Sequence, residues 1–235
     1  MSGHSKWATT KRAKEAKDAK RSNLFTKLSK NISVAARDGA DPEANFKLRM
    51  AIDKAKALSM PRENIERAVN RGSGQGDESQ IESIIYEAYG PEGAALIIEV
   101  LTDNKNRSVS NLKHALSKHN GSLGSSGSVM WMFDPKGEII LDKLSLNDEE
   151  EMRLIEAGAE DIVSDEEEVR VITSIEDLQK TKDSIQAAGF EIKSSEMIYL
   201  ARDKMSPKEP DKLINLLDAL DDDDDINNIY TNTDI

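Results

Sequence analysis

The chain has 235 residues, of which 37% are hydrophobic and 32% are charged, and it contains no cysteine. This length allows one large domain or two to three small ones, and the composition is too apolar for wholesale disorder. Disulfides, thiolate catalysis and cysteine-based zinc sites are excluded. The sequence shows no signal-peptide pattern and no run of about eighteen apolar residues, so we expect a cytoplasmic protein that does not span a membrane.

Charge is distributed unevenly along the chain. Residues 1–72 contain 17 basic and 8 acidic side chains, a net charge of +9. Residues 73–235 contain 15 basic and 36 acidic side chains, a net charge of −21, and the whole chain therefore carries −12. This asymmetry is typical of a basic module that binds polyanions, joined to acidic modules that do not.

The basic character is concentrated at the N-terminus. The stretch 8–20, ATTKRAKEAKDAK, consists of good helix formers but has no large apolar residue. Such a helix has little to pack against its own domain, so we expect it to be mobile or weakly docked in the free protein. Because lysine and arginine replace counterions on phosphates, the candidate nucleic-acid contacts are Lys6, Trp7, Lys11, Arg12, Lys14, Lys17, Lys20, Arg21, Lys27 and Lys30.

The same residues have a second interpretation, a solvated helix face. Trp7 also has two interpretations, since it either stacks on a base or sugar or anchors a hydrophobic core. For Trp7 the core anchor is the favoured one.

Amphipathic helices follow the arm. The apolar spacing over 22–38 predicts a helix that ends at Gly39. Asp41 followed by Pro42 predicts the N-cap and first turn of a second helix. Pro61 opens a third helix, and Gly72 ends it. Together these segments predict a small helical domain with basic outer faces.

The period of the apolar pattern changes after a linker rich in glycine and polar residues. Two apolar segments separated by the turn Pro91–Gly93 predict a β-hairpin. The elements expected in this region are strands at 84–89 and 94–101, a helix at 105–119, a flexible loop at 121–128 and a third strand at 129–133.

A second α/β unit is predicted between 134 and 205. Strands are expected at 137–141, 161–164, 168–173 and 191–200, and helices at 147–158 and 175–188. The order βαββαβ is the ferredoxin-like pattern.

The C-terminal tail combines a helix, which carries Leu213, Leu217 and Leu220 in register, with the short strand INNIY. Because the middle sheet has only three predicted strands, we expect this tail strand to complete it, which makes the ferredoxin-like unit an insertion. We therefore predict an α+β fold of three domains, the third inserted into the second. The expected boundaries are a basic helical domain at 1–72, a linker at 73–80, a split α/β domain at 81–133 plus 206–235, and an inserted domain at 134–205.

Signals for catalysis or metal binding are weak. The histidines His4, His114 and His119 show no spacing that brings them together. The acidic run at 221–225 lacks the alternating ligands and central glycine of an EF-hand loop, so we expect solvated charge there. The glycine-rich stretches do not match phosphate-binding loops. We therefore expect no metal, no cofactor, no small-molecule substrate and no enzymatic activity.

Several stretches together resemble the YebC/PmpR family. They extend along the whole chain: GHSKW (3–7), DAKR (18–21), FTKL (25–28), VAAR (34–37), AIDKAK (51–56), MPRENIERA (60–68), YEAYGPEGAALIIEVLTDNKNR (86–107), NGSLGSSGSVMWMF (120–133) and the C-terminal INNIYTNTDI. Taken jointly these motifs are specific.

The resemblance implies a helical domain, two α/β domains and non-enzymatic binding to nucleic acid. Members are described as DNA-binding transcriptional regulators, while mitochondrial relatives activate translation of a cytochrome oxidase subunit and some bacterial members act at the ribosome. The first hypothesis is therefore a DNA-binding transcriptional regulatory protein, although no helix presents an evident set of side chains for base edges. The alternatives are a factor bound to ribosomal RNA and the ribosome and, below it, an RNA-processing enzyme. A further possibility is that the basic arm pairs with the protein's own acidic lobes.

Overall fold

The computed structural model describes residues 19–74, 80–165 and 168–234, and these residues form a mixed α+β structure. The helices are α1 (Ala19–Ala35), α2 (Phe46–Ala57), α3 (Arg62–Gly72), α4 (Lys105–Lys118), α5 (Asp148–Glu156), α6 (Leu178–Ala187) and α7 (Pro210–Asp221). The strands are β1 (Glu82–Tyr89), β2 (Ala95–Thr102), β3 (Ser122–Leu123), β4 (Phe133–Leu141), β5 (Asp161–Ser164), β6 (Val169–Thr173), β7 (Ile192–Ala201) and β8 (Ile226–Thr231). No helix in these ranges is long and apolar enough to cross a membrane.

Helices α1, α2 and α3 form the N-terminal helical domain. Their apolar stripes meet in one core that includes Leu28 and Ile32 from α1, Leu48 from α2 and Ile65 from α3. The helix predicted over 22–38 is confirmed, and its last three residues tighten into a 3-10 turn before Gly39. Of the helix predicted over 8–20, only the last two residues are described, and they lie in the first turn of α1.

The predicted start of the second helix is wrong. Asp41 caps a short turn instead, since its carboxylate accepts a hydrogen bond from the Glu43 N–H. Helix α2 begins four residues after Pro42, and Asn45 is its N-cap, accepting from the Leu48 N–H at 3.1 Å. Asn45 also donates to the carbonyls of Ala35 and Gly39. The buried amide of Asn45 therefore provides hydrogen-bond partners for backbone carbonyl groups at and after the end of α1 and for a backbone N–H group at the beginning of α2.

The second domain is built on an antiparallel sheet in the order β3-β1-β2-β8. The predicted hairpin is confirmed, with Glu82 opposite Thr102 and Tyr89 opposite Ala95. The tail strand also takes its predicted place, because β8 pairs with β2 and completes the sheet. Helices α4 and α7 cover one face, where their leucines pack on the alternating apolar residues of β1 and β2.

The third strand of this sheet is not the one the sequence predicted. Residues 130–132 form a 3-10 turn rather than a strand, and Phe133 already belongs to the next domain's first strand. The edge position is taken by β3, which contributes only Ser122 and Leu123 and lies within the stretch predicted to be a loop. A two-residue strand leaves no alternating pattern to detect.

The inserted domain has the predicted βαββαβ order, β4-α5-β5-β6-α6-β7. Its sheet has the order β5-β6-β4-β7, in which the first and third strands of the motif are antiparallel neighbours. This is the ferredoxin-like arrangement. Residues 134–200 form one compact unit, and the helical domain belongs with the split α/β domain, residues 80–133 and 201–234, to the other.

Helices α1 and α3 approach each other at Gly72. A methyl group added there would overlap the Ser33 carbonyl oxygen and lie 2.8 Å from the Ala36 Cβ. We predict that Gly72→Ala lowers the free energy of unfolding of this domain by about 1–3 kcal/mol, because the two helices must move apart. Urea unfolding monitored by circular dichroism measures the change. The control is Asn70→Ala on the exposed side of α3, and equal stability of the two variants would contradict the close approach.

Candidate nucleic-acid interface

The ten residues predicted to contact nucleic acid fall into three groups. Lys6, Trp7, Lys11, Arg12, Lys14 and Lys17 lie outside the described residues. Lys20 and Arg21 belong to the first turn of α1. Lys27 and Lys30 lie further along the same helix, and each donates to two acidic-run acceptors.

Lys27 and Lys30 form ion pairs inside the protein. The Lys27 ammonium lies 3.0 Å from a carboxylate oxygen of Asp221 and 2.7 Å from its carbonyl oxygen. Lys30 donates to Asp225 at 2.7 Å and to the Asp224 carbonyl at 2.8 Å. Only 6% of Lys27 is exposed. Both side chains are mostly buried in these contacts, so both are better described as anchors of α1 on the split α/β domain.

Asp225 is the centre of this attachment. One carboxylate oxygen accepts from Lys30 of α1, while the other accepts from the Ser108 hydroxyl at 2.7 Å and from Arg107 at 2.9 Å. The Thr102 hydroxyl adds a bond at 3.2 Å. We call Asp225 with these four partners the Asp225 hub. It joins α1, the end of β2, the first turn of α4 and the turn that leads into β8.

The Asp225 hub holds a buried negative charge. Burial on its own would raise the pKa of Asp225, but the hydrogen bonds from Lys30, Ser108 and Arg107 outweigh it and lower the pKa from 3.8 to about 2. The carboxylate therefore stays ionised under all ordinary conditions. The expectation of purely solvated charge at 221–225 is wrong for Asp221 and Asp225, which are ion-pair partners of the helical domain.

Other cations of the helical domain differ in their hydrogen-bond partners and in their exposure to solvent. Arg62 pairs with Glu66 at 2.7 Å on the surface of α3, and Arg37 donates to the Ile81 carbonyl and the Gln80 side chain. Lys56 and Arg67 are exposed on α2 and α3. Exposed cations of this kind contribute to non-specific attraction of phosphates, in addition to those of the arm.

The sequence-based set of site residues does not include the loop after β3, which belongs to the same compact unit. Glu87 is buried in β1. Its carboxylate accepts hydrogen bonds from three backbone N–H groups of the loop after β3, those of Gly127, Val129 and Met130, at 2.5–2.7 Å. Burial favours a higher pKa for Glu87, but these three donors lower it below its ordinary value. The loop predicted to be flexible is thus tied to the sheet by one carboxylate.

The loop presents aromatic side chains. The Trp131 indole is 65% exposed, and its Nε1–H donates to the Ser128 carbonyl at 3.1 Å. The Tyr89 hydroxyl donates to the same carbonyl at 3.0 Å, and 37% of Tyr89 is exposed. Both polar atoms therefore lie within hydrogen-bond distance of one oxygen, so the polar edges of the two rings meet at the Ser128 carbonyl.

The described residues contain no group of three or more histidine and acidic side chains arranged to hold a metal ion. His114 is exposed on α4, and His119 follows the end of that helix in a half-buried position.

Comparison with known proteins identifies the family. The TACO1/YebC N-terminal domain matches residues 5–75, and the TACO1/YebC second and third domains match residues 81–233. The chain belongs to the TACO1/YebC family, as its motifs indicated.

Relatives match over nearly the full length of the chain. A probable transcriptional regulatory protein of Caldanaerobacter subterraneus is 46% identical, with 100% of this chain and 99% of the relative covered. One from Geotalea uraniireducens is 45% identical, covering 100% and 96%. The crystal structure of a conserved hypothetical protein from Aquifex aeolicus is 39% identical and has a TM-score of 0.86 over 95% of each chain.

The contacts of the Asp225 hub predict how a substitution of Asp225 changes the free energy of unfolding. We expect Asp225→Asn to lower the free energy of unfolding at pH 7 by about 2 kcal/mol, because Lys30 and Arg107 lose their counter-charge. The depressed pKa means that this contribution is present above pH 3.8 and is lost as the pH falls toward 2. The deficit of the variant should therefore shrink between pH 4 and pH 2, measured by urea unfolding across that range.

The matched control is Asp222→Asn, which removes the same charge from an exposed position in the same acidic run. A deficit of Asp225→Asn that matches this control, or that does not change below pH 4, would contradict the ion-pair assignment.

Proposed function

We propose that this protein is a non-enzymatic regulator of gene expression that binds nucleic acid through its basic N-terminal helical domain, in the first place a DNA-binding transcriptional regulatory protein of the cytoplasm. The relatives are named probable transcriptional regulatory proteins, which supports the regulatory role. The observation that carries the proposal is the separation of charge, +9 in residues 1–72 against −21 in the rest of the chain.

The attachment of α1 to the split α/β domain supports this proposal. Helix α1 begins at Ala19 and is fastened to the split α/β domain at Lys27 and Lys30. These two lysines neutralise part of the acidic run, which would otherwise repel phosphates close to α1. The contacts proposed for nucleic acid are therefore those that precede Lys27: Lys6, Trp7, Lys11, Arg12, Lys14, Lys17, Lys20 and Arg21.

One observation favours a second candidate, a translation factor bound to ribosomal RNA. The exposed rings of Trp131 and Tyr89 suit unpaired bases, which RNA loops offer and duplex DNA does not. An RNA-processing enzyme has less support, since the features described so far serve binding.

The salt dependence of binding tests the proposal. If about five phosphates are neutralised on duplex DNA, the logarithm of the affinity should fall against the logarithm of salt concentration with a slope of about −4 to −5. Replacing Lys11, Lys14 and Lys17 with glutamine should reduce this slope to about −2, because each lysine accounts for about one unit. Fluorescence anisotropy with a labelled duplex measures both values.

A control variant replaces the same number of exposed lysines elsewhere, Lys180, Lys193 and Lys208, with glutamine. It should leave the slope unchanged. A slope near zero for the native protein, or equal slopes for the two variants, would rule out binding through the arm. The same titration with single-stranded RNA ranks the two candidate targets.

A further inference from the structure

Trp131 occupies an unusual position for a large apolar side chain. The chain has only two tryptophans, and this one has 65% of its surface in solvent. Tyr89 donates to the same Ser128 carbonyl as Trp131, and 37% of its surface is exposed. Two exposed aromatic side chains held at one carbonyl mark a binding site more often than a single exposed residue does.

Hydrogen bonds to the backbone of the loop hold the two rings in place. Trp131 and Tyr89 donate to the same Ser128 carbonyl, and the backbone on both sides of Ser128 donates to Glu87. The turn between them is closed by a hydrogen bond from the Ser128 N–H to the Ser125 carbonyl at 3.1 Å. Rings fixed in this way lose little conformational freedom when a ligand binds.

The geometry points to a stacking site. We propose that Trp131 and Tyr89 form a platform for an unpaired nucleobase of a single-stranded nucleic acid, a proposal that rests on the nucleic-acid-binding function proposed above. The indole N–H and the phenol O–H are both directed to Ser128, so each ring offers its face rather than a donor at its edge. A face binds any base by stacking and requires no particular base edge.

The charge of the surrounding compact unit favours a polyanionic ligand such as a nucleic acid. Glu87 of β1, the carboxylate to which the loop is tied, is 7% exposed and accepts hydrogen bonds from three backbone donors. Its charge is therefore directed at the loop and not at the surface. The basic helical domain belongs to the same compact unit and supplies phosphate contacts for a strand that reaches both. A duplex keeps its bases stacked inside, so the ligand that fits is single-stranded.

The test uses the fluorescence of Trp131 in the full chain. Trp7→Phe removes the other tryptophan, and the probes are twelve-nucleotide strands of oligouridylate, oligoadenylate and the deoxyribose oligoadenylate, each with duplexes of the same length. We expect every single strand to quench Trp131 and the duplexes to quench it much less. Comparison of the RNA and DNA strands identifies which of the two is the preferred source of the base.

Substitutions in the otherwise native chain separate stacking from folding. Trp131→Ala should weaken single-strand binding about tenfold without changing the slope against salt, because stacking releases no counterions. Trp131→Phe should keep most of the affinity. Glu87→Gln, which loosens the loop, should weaken single-strand binding while the exposed control Glu82→Gln does not. Circular dichroism verifies that each variant is folded.

The outcomes distinguish this inference from the proposed function. If the variant with Lys11, Lys14 and Lys17 replaced loses affinity but Trp131→Ala binds single strands as the native protein does, the stacking site is refuted and the arm's role stands. If Trp131 is quenched and required but the arm variant binds normally, the arm's role fails and the stacking site stands. Absence of quenching by every strand would overturn the inference.

Discussion

A buried carboxylate, Asp225, is the centre of the attachment of the basic module to the rest of the protein, and the Lys27–Asp221 ion pair lies beside it. An ionised carboxylate that is 6% exposed would be strongly destabilising without partners, and here its partners come from three separate elements. Lys30 arrives from α1, Arg107 and Ser108 from α4, and Thr102 from β2. The requirement to satisfy this charge therefore links α1, α4 and β2 to one another.

Under the proposed function the cations of the helical domain have two separate roles. Those at Lys27 and Lys30 pair with the acidic run and attach α1, while the arm that precedes them is proposed to bind a polyanion. The inserted domain, residues 134–200, contains 7 basic and 19 acidic side chains, a net charge of −12. A surface of that sign repels phosphates, so the proposed function assigns nucleic acid to the other compact unit. The proposed stacking site on Trp131 lies in that unit as well.

Local sequence patterns predicted most of the elements but few of the contacts between them. The alternation of apolar residues identified the β1-β2 hairpin, and the βαββαβ order identified the inserted domain. The two-residue strand β3 and the 3-10 turn at Met130–Met132 were missed, since neither is long enough to show a period. The sequence did not predict Asn45 as the N-cap of α2, because Asp41 followed by Pro42 is the stronger local signal. Asn45 is favoured by its hydrogen bonds to two carbonyl groups that come near it only in the folded chain. Lys27 and Asp221 are 194 residues apart, and Glu87 is 40 to 43 residues from its donors. A pattern read along the chain cannot connect such distant groups.

The central claim is that nucleic acid is bound by the unit containing the basic module and Trp131, and not by the acidic inserted domain. Ultraviolet crosslinking of the full chain to a single-stranded oligonucleotide, with the modified peptides identified by mass spectrometry, tests this most directly. The account predicts crosslinks in residues 1–26 and at the segment that carries Trp131, with none in residues 134–200. Crosslinks confined to the inserted domain, or their absence from both predicted segments when the strand is bound, would contradict it.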